Sequence, residues 1–215
     1  MLSKTLTGSF MLVGPLLAIV SMVLFSPGGD DQTFAQELQA MSENYAMASI
    51  AMVLFFAAIM MIFIGIHSLA RSMQGENKPG SDFAGLASIF ALLIAGLVMI
   101  STGMDLIVTE KESTWVTSGG DVVGTFAIGE AIIRSIFVFD GIVMLFLGLA
   151  IVKQKNINPI VGGLFTFLGM CVLVGGMLSE GDNWAGMIWF IGFLGFPIIT
   201  AVTGILTLRE ARNNK

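Results

Sequence analysis

Three residues in this chain combine chemistry-bearing side chains with close spacing: Glu130, Arg134 and Asp140, all within GEAIIRSIFVFDG, residues 129–141. The residues around them are mostly apolar, so the stretch reads as part of a membrane-crossing helix, where charge is costly. Glu130 and Arg134 are four residues apart; on a helix they share a face and can pair. Asp140 is six residues from Arg134 and lies on a somewhat different face. Counting outward from Lys153 at about 1.5 Å per residue, Asp140 is roughly 20 Å away, Arg134 roughly 28 Å and Glu130 roughly 34 Å. In a hydrocarbon core about 30 Å thick, Arg134 falls near one edge, Glu130 beyond it, and Asp140 roughly 10 Å deep. Asp105, near the same end of the preceding apolar segment, lies at the level of Arg134. A carboxylate–arginine–carboxylate cluster of Asp105, Arg134 and Glu130, tying two helices together, is the simplest expectation. Asp140 stands alone. A carboxyl at that depth is either a proton-carrying group or a neutral residue bonded to a hydroxyl or carbonyl on another helix.

Other chemistries find few ligands. The chain has one histidine and one cysteine, so a bis-histidine haem within the chain, a histidine-rich copper or di-iron site and an intrachain disulfide are all excluded. Fifteen methionines raise soft copper ligation, but no Met-x-x-Met or Met-x-x-x-Met pair occurs; they read as adaptable packing. His67 lies one turn before Arg71 and is expected to bond Ser68 or a neighbouring carbonyl, with proton shuttling the alternative. No lysine falls within the middle of an apolar segment, which excludes a retinal Schiff base. No nucleophile elbow, Walker loop or HExxH is present. No cofactor or metal is expected, and the charge pattern offers no basic face for nucleic acid.

These side chains are carried by an unusually apolar chain. Of its 215 residues 55% are hydrophobic and 12% charged, about half the charged fraction of a typical soluble domain. Long apolar runs place six membrane-spanning helices at 8–26, 45–70, 83–107, 124–152, 158–178 and 184–208. The expected fold is therefore an all-α, polytopic bundle forming a single integral membrane domain over 1–215. The first run resembles a signal peptide, but it is long enough to span and no small-x-small site follows. It is expected to be an uncleaved helix.

Lysine and arginine set the orientation. Eight of them (Lys4, Arg71, Lys78, Lys153, Lys155, Arg209, Arg212 and Lys215) fall on one side and Lys111 alone on the other. The cation-poor side carries Asp30, Asp31, Glu37, Glu43, Glu110, Glu112, Asp121, Glu180 and Asp182. Both termini are expected in the cytoplasm of a prokaryote, with the acidic loops outside its plasma membrane. Trp115, Trp184, Trp189 and Tyr45 gather at the outer side, as interfacial rings do. In DQTFAQELQAMSENY, Phe34, Leu38 and Met41 recur at helical spacing, with Gln36, Glu37 and Gln39 between them. This predicts a short amphipathic outer helix after the first span, or a straight extension of the second.

Glycines suggest how the spans pack. Gly162, Gly169 and Gly176 lie seven apart, as do Gly96 and Gly103, and Gly141 and Gly148. That spacing keeps small residues on one face and lets backbones approach closely. The third, fourth and fifth spans are expected to meet along these stripes.

The N-terminal GSFMLVGPLLAIVSMVLF, the outer FAQELQAM, the charged GEAIIRSIF and the final WFIGFLGFPIIT give a layout that resembles a poorly characterised family of six-helix prokaryotic membrane proteins of unknown function. The resemblance covers topology across most of the chain. It implies a fold, and no activity or site residue. The function expected is a non-catalytic integral subunit or scaffold of a larger membrane complex, partnered by the bilayer and by other subunits or further copies. The alternative is a small proton-coupled carrier using Asp140 with the Asp105, Glu130 and Arg134 cluster. Pro15 and Pro197 would serve that alternative by breaking the first and last helices.

Overall fold

The computed structural model describes residues 2–24, 33–178 and 183–213. Asp30, Asp31, Glu180, Asp182 and Lys215 lie outside the described residues. Among the described residues eight helices follow in order: α1 (Lys4–Leu24), α2 (Phe34–Glu43), α3 (Tyr45–Ser72), α4 (Ser81–Thr109), α5 (Thr114–Thr117), α6 (Val122–Gln154), α7 (Pro159–Leu178) and α8 (Asn183–Asn213). Six of them, all but α2 and α5, are long and apolar enough to cross a membrane. The protein is a multi-pass membrane helical bundle.

Local chemistry sets the helix ends. The Asp121 carboxylate accepts from the Gly124 amide at 2.9 Å and starts α6. Gly80, at φ 77°, takes the left-handed turn that admits the chain into α4. Pro159 opens α7, where its missing N–H costs nothing. Thr33 and Gln36 form a reciprocal capping box at the start of α2. Its end is fixed by Asn44, whose side-chain amide donates to the Ala40 carbonyl at 3.1 Å. Asn44 sits at φ −112°, ψ 37°, outside helical geometry. Thus α2 is a separate surface helix and not a straight extension of α3. The helices α1 and α8 run unbroken through Pro15 and Pro197. The expectation that these prolines break their helices is corrected: neighbouring helices hold the turns in place where the backbone loses a donor.

The six long helices close into a ring in chain order: α1 packs on α3, α3 on α4, α4 on α6, α6 on α7, α7 on α8, and α8 returns to α1. Each neighbour is antiparallel to the last, and an even number lets the final pair close antiparallel too. Both described ends meet at one face, where Lys4 forms an ion pair with Glu210. At the α1–α8 seam, a methyl group added at Gly8 would lie 2.8 Å from the Gly204 carbonyl oxygen. The interior is filled by large side chains, including Met11, Ile62, Met144, Leu147 and Phe165. Phe63 and Phe196 stack across the ring at 6.1 Å.

The glycine stripes take part unequally. A methyl at Gly169 would meet the Gly141 carbonyl oxygen at 2.7 Å, and one at Gly162 the Gly148 carbonyl oxygen at 2.9 Å. The backbones of α6 and α7 therefore touch at two levels. Gly176 faces Val138 of α6 and Trp189 of α8. On α4, a methyl at Gly96 or Gly103 would meet nothing within 4 Å. The expectation that α4 joins this packing through its glycines is thus corrected. The reason is the ring itself: α4 and α7 flank α6 on opposite sides, and the Gly96–Gly103 face of α4 points away from it.

Candidate functional site

Asp140 projects from α6 into the bundle, where it is only 6% exposed. Its Oδ1 is sealed off and has no hydrogen-bond partner. The expected hydroxyl or carbonyl partner on another helix is absent for that oxygen. Asp140 is among the residues that line a cavity of about 250 Å³ walled by α1, α3, α4, α6 and α8. Pro15, Ile62, Val98, Ile136, Phe196 and Pro197 are among the lining residues, and Asp140 is the one titratable side chain among them all. A carboxyl is placed in this apolar space by the turn of α6 that follows Ile133 and Ile136. Gly141, next to it, is pressed against α7, so that Asp140 faces the other way, into the ring.

A second space of about 170 Å³ lies towards α2 and is lined by Asp105, Glu130, Ser21 and Thr102 with apolar neighbours. Met22, Phe55 and Ile133 border both spaces. They form the partition between the Asp140 cavity and the acidic one. Over the acidic space sits α2, held by buried Leu38 and Met41 and by the edge of Phe34 against Phe126, ring centres 6.2 Å apart. Gly129 makes room for the Asp105 carboxyl: a methyl there would lie 2.5 Å from Asp105 Oδ1. The same turn is fixed by Ser101, which donates to the Gly129 carbonyl at 3.0 Å.

Arg134 does not complete the expected cluster. Its side chain is exposed, and among the described residues the ion pair is Lys4–Glu210, with none at Arg134. Arg134 instead acts on Glu130 and Glu37 through space. Its long stem carries the guanidinium outward to the wet edge, as such side chains do, while Asp105 and Glu130 turn into the space between α4 and α6. The structure adds a residue that the sequence reading left aside. Glu37 of α2 is charge-coupled to both Asp105 and Glu130. Its position was available from spacing: it is three residues after Phe34 and four before Met41, hence on the docked face. Burial pushes the Glu37 carboxyl above its ordinary range, and Arg134 offsets part of that rise.

His67 bridges α3 to α4. Its Nδ1 lies 2.8 Å from the Ser88 hydroxyl and 3.2 Å from the Ser88 carbonyl. Ser68 is bonded elsewhere, to Thr7 at 2.8 Å. Among the described residues, no three His, Cys, Asp or Glu side chains gather closely enough to hold a metal ion.

Comparison with protein-family models, with curated proteins and with solved structures returns no match.

Proposed function

We propose that this protein works in the plasma membrane of a prokaryote, both termini in the cytoplasm, as a small proton-coupled carrier in which Asp140 is the exchanging group. The observation that carries this reading is the buried, unpartnered Asp140 carboxyl on an otherwise apolar cavity. One carboxyl holds one positive partner at a time, a proton or a cation, and mutual exclusion at a single site is the chemistry of exchange. Leaving a polar group buried without a partner costs about 1–3 kcal/mol; Ser49, Asp105 and Thr200 share that condition, and Asp140 is the one of the four that also lines the apolar cavity. The acidic space lined by Asp105 and Glu130 would then be the outward path, with α2 as its cover. The test uses proteoliposomes with an imposed pH difference and an entrapped pH dye, challenged with a panel of small organic solutes. Wild type should collapse the gradient with some of them, and Asp140→Asn, folded normally, with none. Equal responses from both would end the carrier reading.

A second reading, a non-catalytic subunit of a larger membrane complex, is supported by Gly96 and Gly103. They leave a small-residue face of α4 open on the bundle exterior, and such faces admit another helix closely. Intact-mass measurement after mild detergent extraction tests it: a stoichiometric assembly, lost in Gly103→Leu, is expected on this reading.

A further inference from the structure

We infer that the Asp140 cavity binds a lipophilic monoamine of about ten non-hydrogen atoms, its ammonium paired with Asp140 and its hydrocarbon filling the space between α1, α3, α6 and α8. The inference rests on the same site as the carrier reading, but equilibrium binding does not require transport.

Size comes first. A cavity of about 150 Å³ holds benzene. By that measure the 250 Å³ beside Asp140 takes roughly ten heavy atoms, a small hydrocarbon with one polar head.

Charge comes next. Among the described residues, no lysine, arginine or histidine lines the cavity from any of its walls, whether α1, α3, α4, α6 or α8. The nearest cation along α6, Arg134, is turned to the exterior. A cationic partner for this carboxyl must therefore come from outside the chain. With Asp140 as the single titratable lining group, one positive charge is the complement, and a dication would leave one charge unmatched in an apolar space.

Access decides between a lipophilic and a hydrophilic cation. Ile19 and Met22 on α1, and Leu194 and Ile198 on α8, line the cavity and are also exposed, Ile198 to 66%. At the end bearing the Lys4–Glu210 pair, the α1–α8 seam is shut by the Gly8–Gly204 contact. Beyond Pro15 and Pro197 it opens, on a face whose exposed residues are hydrocarbon. The mouth is thus a side window towards lipid, used by molecules that already partition there. A neutral amine arriving this way takes the proton of the Asp140 carboxyl. Ammonium and carboxylate result, and no other bond changes.

The experiment compares phenylbutylamine with phenylbutanol, matched in size and differing in the head group, by titration calorimetry on the purified full chain in lipid nanodiscs, with empty nanodiscs subtracted. The amine should bind at least about tenfold more tightly than the alcohol, and Asp140→Asn should remove that preference. Equal affinity for amine and alcohol in wild type, or a preference kept by Asp140→Asn, overturns the inference. The first outcome would mean a space that takes any hydrocarbon, lipid chains included. Should the variant fail to fold, wild type alone still decides. Phenylbutylamine, but not phenylbutanol, should protect Asp140 from dicyclohexylcarbodiimide, read by peptide mass, and equal protection or none rejects the proposal. Amine binding without gradient collapse would remove the carrier reading and leave this inference standing. Gradient collapse with other solutes, but no amine binding, would do the reverse.

Discussion

At the scale of single residues, burial and partners separate side chains that look alike in sequence. Arg134 is exposed and in no ion pair, so Arg134→Gln should change thermal stability in detergent by no more than about 0.5 kcal/mol. Gly148→Ala should cost more, about 1–3 kcal/mol, because the new methyl meets the α7 backbone at the Thr166 nitrogen, 2.5 Å, and the Gly162 carbonyl oxygen, 2.6 Å. Thermal unfolding of the two variants side by side checks the order. Glu37 carries a pH dependence with a definite sign. Its carboxyl is raised by burial when α2 is docked, so docked α2 binds that proton better than free α2. Docking is then strongest below the ordinary carboxylate range and weakens as pH rises through the raised value. The charges facing it are Arg134, Glu130 and Asp105. Hydrogen exchange of the α2 amides, corrected for intrinsic rate, should show less protection at higher pH, and Glu37→Gln should flatten the trend.

At the scale of elements, spans were legible because hydrocarbon thickness demands long apolar runs. The six expected segments match α1, α3, α4, α6, α7 and α8. Their ends run on beyond expectation where polar caps and cations extend helices into water, as in α8 to Asn213. The amphipathic α2 was legible for the opposite reason: it has a polar face. Which side of each long helix looks inward was not legible. A helix apolar all round gives no periodic signal, and lipid and core accept the same side chains. This is why Gly96 and Gly103 pointed to a contact that α4 does not make, and why the Asp140 cavity could not be foreseen from spacing. Packing predictions can now be made on the folded geometry. Gly169→Leu should abolish stable folding, since even a methyl there meets backbone atoms of α6 at 2.7 Å. Gly163→Leu, on the same helix with nothing within 4 Å, should be tolerated. Size-exclusion profiles in detergent distinguish them, and equal profiles would remove the stripe from the account of α6–α7 packing.

For the whole molecule, the ring places cations and both described ends of the chain on one side. Lys4, Arg71, Lys78, Lys153, Lys155, Arg209 and Arg212 all fall at the helix ends on that side, the side proposed above to face the cytoplasm. Both Glu112 and Asn156 are exposed, at opposite ends. A cysteine at Glu112 should be labelled by an impermeant reagent in intact cells, and one at Asn156 only after permeabilisation. Labelling of Asn156→Cys in intact cells would reverse the orientation. The number and order of the spans were readable from the chain, and so was the cation asymmetry. Closure of the ring was not, because it depends on which faces of α1 and α8 meet, and Gly8 and Gly204 show no shared spacing along the sequence.

That closure has a consequence for biosynthesis. The ribosome delivers α1 first and α8 last, so the earliest span must wait in the membrane with one flank unpartnered until the latest arrives. Every other neighbour in the ring is adjacent in translation order. The wall between α1 and α8 is therefore the final part to be made, and the Asp140 cavity does not exist until it is. A truncation before α8 would leave Asp140 facing lipid across an open cleft.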